Sequence, residues 1–309
     1  MKKSIRAFAP ATVANVSCGF DILGFAIDEL GDQVEVSLCE TPGLRVVNIE
    51  GDGGRLPYEA EKNTCTVAIQ AMLDQLDYKK GMEISLYKGL PLGSGMGSSA
   101  ASAAAALVAA NALLGYPFDK KQLVDFAVKA ELIACGAAHA DNVAPSLLGG
   151  FVLIRDYEPL DVIKLPVPNG LYCTLLHPHL ELNTSDSRSV LRKQISLKDS
   201  TIQSGNIAGL IAGLFQKDFD LISRSLKDVI AEPTRALLIP GFYELRDAIK
   251  SIGALGSGIS GSGPTIFVLS PSKKIATAVG TKGSEVFKKI GLDVDVYISE
   301  VNDRGAYVI

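Results

Sequence analysis

The opening third of the chain alternates short apolar runs with turn residues. SIRAFAPATVANV, then QVEVSLCE and LRVVNIEG after a polar stretch, predict strands, and Gly51-Asp-Gly-Gly54 closes that set. From about Asn63 the apolar spacing turns helical in NTCTVAIQAMLDQLD. MEISLYKG then predicts a strand leading into a glycine-rich loop, and a helix follows the loop. DKKQLVDFAVKAELIACG predicts a second helix, with Asp119 as its N-cap and an end near Gly136. GGFVLIRD and LYCTLLHP read as strands, helices are expected over roughly 187–225 and 241–252, and a second glycine-rich segment follows. SEVFKKIG predicts the last helix and DVDVYISEV the last strand. Strands and helices do not alternate regularly, which favours an α+β fold over a doubly wound parallel sheet.

Composition narrows the functional classes. With 309 residues and 47% hydrophobic content the chain is long enough for two cores, and two domains are expected, 1–155 and 156–309. A formal net charge of -4 and the lack of a basic block point to a small soluble substrate, with no nucleic acid or membrane as partner. The five cysteines are odd in number, scattered and without a C-x-x-C pair, which argues against a disulfide framework and a zinc site and suits a reducing cytoplasm. The N-terminus has no apolar stretch of signal-peptide length before Asn15, Ser17 and Asp21 intervene. The Ala-rich run after Ser99 is broken by Ser102 and Asn111 and stops at Gly115, short of the roughly 20 residues that span a bilayer, so it is expected as a buried helix.

The strongest chemical signal is Pro91-Leu-Gly-Ser-Gly-Met-Gly-Ser-Ser-Ala-Ala101, running into ASAAAALVAANALL. Alternate glycines let backbone N–H groups approach a ligand, and Ser98 and Ser99 fall where the first helical turn leaves its donors unpaired. Those donors and the helix dipole favour a polyphosphate. No lysine precedes the serines, so this is not a Walker loop. The plain alternative is a glycine turn capped by a serine. The later Gly256-Ser-Gly258-Ile-Ser-Gly261 matches G-x-G-x-x-G literally, but a helical stretch is expected before it and the strand TIFVLS after it, which is not the context of a dinucleotide loop.

Pro-x-Gly-x-Gly-x-Gly-Ser-Ser-Ala resembles the ATP-binding signature of the GHMP kinases. APATVANVSCGFDILG and GALGSGISGSGPTIFVL are similar to further motifs of that family, in the right order along nearly the whole chain. The resemblance implies an N-terminal domain like ribosomal protein S5, a ferredoxin-like C-terminal domain, ATP and Mg²⁺ in the cleft between them, and a homodimer. Pro91, Leu92, Gly93, Ser94, Gly95, Met96, Gly97, Ser98, Ser99, Ala100 and Ala101 would bind ATP, helped by Lys88 near the phosphates and Asn63 near the base. Glu131 and Ser99 would hold the metal, and the late glycine loop would buttress the phosphate loop.

Within the family, Asn15 and Asp21, His139 and Asn142, Thr184 and Arg188, and Arg235 in EPTRALLIPGF resemble the homoserine-phosphorylating members. An amino-acid acceptor needs an acid for its ammonium and guanidinium forks for its carboxylate. Asp21 suits the first task, Arg188 with Arg235 the second. Taken singly, Asp21 could instead cap a turn, the arginines could be solvated charges, and His139 could be a core histidine. His177 and His179, one residue apart with no carboxylate cluster nearby in sequence, make a poor metal site. Asn142 stands where related kinases place an aspartate. Asparagine does not accept a proton usefully, so it is expected to orient the acceptor hydroxyl while the proton passes to phosphate or water. A different small acceptor, such as a sugar or mevalonate, and a nucleotide sensor without turnover remain the alternatives.

Overall fold

The computed structural model describes residues 3–76, 78–135 and 139–309, with the side chains of 133–135, 184 and 185 outside the description. The first layer is a seven-stranded sheet. Its strands are β1 (Ser4–Ala14), β2 (Leu23–Cys39), β3 (Leu44–Glu50), β4 (Gly81–Tyr87), β5 (Phe151–Tyr157), β6 (Leu160–Leu165) and a final strand, Tyr307–Val308. The final strand pairs with β1, the order continues β1-β2-β4-β3, and β5 with β6 branches from β2. Among the described residues of this sheet only the β3/β4 pair is parallel. Four helices belong to this layer: α1 (Thr64–Leu73), α2 (Ser98–Leu113), α3 (Lys120–Cys135) and α4 (Ala140–Leu148). α2 is buried along almost its whole length, because alanine lets the sheet and three helices approach it from all sides.

The second sheet contains β7 (Tyr172–Pro178), β8 (Gly256–Ile259), β9 (Ile266–Ser270) and β10 (Val294–Glu300), all antiparallel, in the spatial order β10-β7-β9-β8. In chain order that is 4-1-3-2, the arrangement of a βαββαβ ferredoxin-like unit. Between β7 and β8 lie α5 (Thr184–Ser189), α6 (Leu197–Gln216), α7 (Phe219–Ser225), α8 (Glu232–Arg235) and α9 (Phe242–Lys250). α10 (Lys273–Lys289) joins β9 to β10. The molecule is thus two-domain α+β. No helix among the described residues is long and apolar enough to cross a membrane.

Several sequence expectations need correction. The division at 155/156 cuts the β5–β6 hairpin, and the last strand, β11 (Tyr307–Val308), returns to the first sheet. The helix expected over 187–225 is three helices, because the side chains of Ser196 and Asp218 cap new starts by accepting the N–H groups of Asp199 and Leu221. α10 begins well before SEVFKKIG. Gly280 and Gly283 within it let the helix press onto the sheet: a Cβ there would come within 2.8 Å of Val296 and 2.6 Å of Leu176. The late glycine segment follows the helix α9, as expected, but its first four residues are themselves a strand, β8, so its end is the tip of a β-hairpin and opens no helix. Asp119 does cap α3, its carboxylate accepting Gln122 N–H at 2.9 Å.

Candidate active site

β1 leaves the sheet at Ala14, and the chain then takes three left-handed residues in a row, Asn15, Val16 and Ser17, with φ of 70°, 42° and 61°. A β-branched residue in that region is costly, so the turn persists only because its surroundings impose it. Asn15 supplies part of that constraint. Its amide donates to Gly261 O at 2.8 Å and its Oδ1 accepts Asp21 N–H at 2.9 Å. The Tyr157 hydroxyl, donating to Asp21 O at 2.7 Å, fixes the same turn from β5. Both polar ends of the Asn15 side chain are thus engaged in holding the turn at Asp21.

The phosphate-loop segment closes over this turn. Gly93, Gly95 and Gly97 have φ of 67°, 78° and 68°, and Gly97 is the N-cap of α2 without a side-chain cap, so the first-turn N–H groups stay open. The late hairpin locks the loop in place: Ser260 Oγ donates to Gly95 O at 2.7 Å and Thr265 N–H to Ser94 O at 3.3 Å. A Cβ on Gly97 would come within 2.0 Å of Thr12 Oγ1 and 2.9 Å of Asn142 Oδ1. Thr12 is fully buried and donates to Asn142 Oδ1 at 2.8 Å. The amide N–H groups of Asn142 are thereby turned to whatever lies in front of it.

A cavity of about 380 Å³ opens in front of these elements. It is lined by Leu92, Gly93, Ser94, Gly95, Gly97, Ser98, Ser99, Asn63 and Lys88 of the expected nucleotide set, and by Asn15, Asp21, Glu131, His139, Asn142, Arg188 and Arg235. Pro91, Met96, Ala100 and Ala101 do not line it, and the last three are fully buried in the core. Asn63 lines the wall, but its side chain caps α1 through Cys65 N–H and donates to Pro57 O. The side chain of Thr184 lies outside the described residues.

Lys88 differs most from expectation. Its ammonium is buried against the equally buried Asp32, and it also donates to Ser98 Oγ at 2.7 Å and Ser102 Oγ at 3.0 Å. Its charge is neutralised under the loop, and it braces Ser98. Asp32 accepts further from Ser102 Oγ and from the N–H groups of Gly89 and Leu90. Lys88→Met is expected to lower the unfolding free energy by about 3 kcal/mol, because it strands a buried carboxylate. Chemical denaturation should show it, and adding Asp32→Asn should recover part of the loss.

The charged residues fall into two groups. Glu131 is 1% exposed, and its Oε1 has no hydrogen-bond partner among the described residues, while Oε2 lies 3.4 Å from His139 Nδ1. That carboxylate raises the His139 pKa above its ordinary value against the opposing effect of burial. In the second group Arg188 Nη2 donates to both oxygens of Asp21, at 3.0 and 3.1 Å, so the residues expected to act separately form one pair. Arg235 is held by Ser187 O and Gly261 O, both at 3.0 Å, and burial lowers its pKa. Asp141, not singled out in the sequence, also lines the cavity. Burial and the neighbouring Asp21 push its carboxyl up to about 7.

Two family models match, GHMP kinases N terminal domain over residues 63–150 and GHMP kinases C terminal over 210–289. A curated relative from Chlorobium phaeobacteroides, named homoserine kinase, is 52% identical over 320 residues, covering 99% of this chain and 100% of the relative. The chain belongs to the GHMP kinase family. The crystal structure of homoserine kinase from Cytophaga hutchinsonii superposes with a TM-score of 0.98 at 54% identity, covering 100% of this chain and 98% of that one. The mevalonate kinase of L. major, at 17% identity and a TM-score of 0.71, shares the fold.

Among the described residues of this GHMP kinase no three His, Cys, Asp or Glu side chains cluster as a metal cage. The fit to a hard cation rests instead on the unpartnered buried oxygen of Glu131, beside a loop that offers Ser99 and room for a polyphosphate. His177 and His179 lie elsewhere, bonded to Thr265 and Asp295.

Proposed function

We propose that the chain transfers the terminal phosphoryl group of ATP to the side-chain hydroxyl of L-homoserine, forming O-phospho-L-homoserine on the way to threonine. The observation that carries this reading is the pairing of Asp21 with Arg188, flanked by Asp141 and Arg235. An α-amino acid bears its ammonium and carboxylate on one carbon, so adjacent acidic and basic groups match its head. Mevalonate and galactose have no ammonium to place there.

In this reading Mg²⁺, held by Glu131 and Ser99, neutralises phosphate charge when bound. The open N–H groups of α2 and the Ser98 hydroxyl, which accepts from Lys88 and so has its own proton to donate, grip the phosphates. Asn142 lies between the phosphate loop and Asp141, and its oxygen is already engaged by Thr12. It therefore offers the acceptor hydroxyl a donor and no base, which leaves the departing proton to phosphate or water. Incubation with Mg-ATP and L-homoserine, followed by phosphorus NMR, tests the product: a new phosphomonoester coupled to the side-chain methylene supports the reading, and free phosphate alone contradicts it.

A further inference from the structure

Phe20 precedes Asp21 on the left-handed turn and is half-buried, yet among the described residues it belongs to neither hydrophobic core. Its contacts are with charge. The guanidinium carbon of Arg235 lies 5.1 Å from the ring centroid and that of Arg188 lies 5.8 Å from it. Phe20 does not line the cavity, whereas both arginines do. One aromatic ring thus serves two cations that converge on the same space, where the Asp21 carboxylate paired with Arg188 offsets their mutual repulsion only in part.

The anchoring of the two arginines is unequal. Arg235 has two carbonyl partners fixing its head. Arg188 has the half-exposed Asp21, and its buried Nε has no partner among the described residues. An acceptor ammonium near Asp21 competes for that carboxylate, so Arg188 needs a second hold that the substrate does not disturb. The ring provides one, and the backbone beside it is fixed, because Asp21 N–H and O are held by Asn15 and Tyr157.

We propose that Phe20 is a positioning residue for acceptor recognition: its ring holds the guanidiniums of Arg188 and Arg235 together as a preformed fork for the acceptor carboxylate. The proposal rests on the carboxylate reading of those arginines given above, and it accounts for an aromatic residue standing outside both cores beside two charged ones. Preorganisation of this kind improves acceptor binding without changing the chemical step.

The test is a series of full-length proteins carrying 4-fluoro-, 3,5-difluoro- and 3,4,5-trifluorophenylalanine at position 20, which keep the ring's shape and progressively withdraw its negative face. KM for L-homoserine should rise stepwise, by about five-fold at the trifluoro ring, with kcat, KM for ATP and the melting temperature unchanged. Phe20→Leu should raise the same KM about ten-fold, and markedly less in an Arg235→Leu background. A flat KM across the fluorinated series, with Arg235→Leu still raising it, overturns the proposal and leaves the carboxylate reading standing. Arg235→Leu without effect on KM for homoserine overturns both.

Discussion

Glu131→Gln is expected to lower kcat about a thousand-fold, the scale on which a charge that stabilises a transition state is lost, while the protein melts at the same temperature or higher. The two halves of that expectation come from one observation. A carboxylate oxygen that is buried without a partner is a liability to folding, so neutralising it does not weaken the empty protein. The same oxygen is a strong ligand for a hard cation, and an amide oxygen without net charge is a poor substitute for it. Steady-state ADP release at saturating ATP and acceptor, alongside a thermal melt, checks both. A loss under ten-fold would remove Glu131 from the metal, and a much lower melting temperature would mean that its pairing with His139 is structural.

Arg235→Leu is expected to lower kcat/KM for the acceptor about a hundred-fold, with KM for ATP nearly unchanged. The estimate takes about 3 kcal/mol for charge-assisted hydrogen bonds to a carboxylate in a buried place. A structural cost of about 1–2 kcal/mol is also expected, since Ser187 O and Gly261 O lose their donor. L-homoserine amide separates the two effects. If Arg235 reads the carboxylate, wild type should prefer the acid strongly over the amide, and the variant should discriminate far less. Equal discrimination in both would assign Arg235 to scaffolding.

What was legible in the sequence was local. The phosphate loop could be read because its glycines and serines are neighbours in the chain and the helix after it follows at once. The α+β class followed from element order, and the acceptor residues from a family resemblance. What was not legible depends on partners distant in sequence. Lys88 looked like a free charge beside the loop, and only the fold brings Asp32 to it across 56 positions. Thr12 lies in an apolar run, its hydroxyl's partner being Asn142, 130 positions away. Asp141 carries no motif that distinguishes it from its neighbour Asn142, although it faces the same cavity. Phe20 gives no sign of its two cations, and the last strand gives none that it closes the first sheet. Two signals do lie in the sequence: a threonine inside a buried strand, and an acid beside Asn142.

On the proposed reading the site selects an acceptor by its ammonium and carboxylate together. The most direct measurement is coupled ADP release with Mg-ATP and, in parallel, L-homoserine, L-serine, L-threonine, mevalonate and galactose. Robust release is expected with L-homoserine and little with the two acceptors that are not amino acids. Turnover of mevalonate or galactose without turnover of homoserine would overturn that reading.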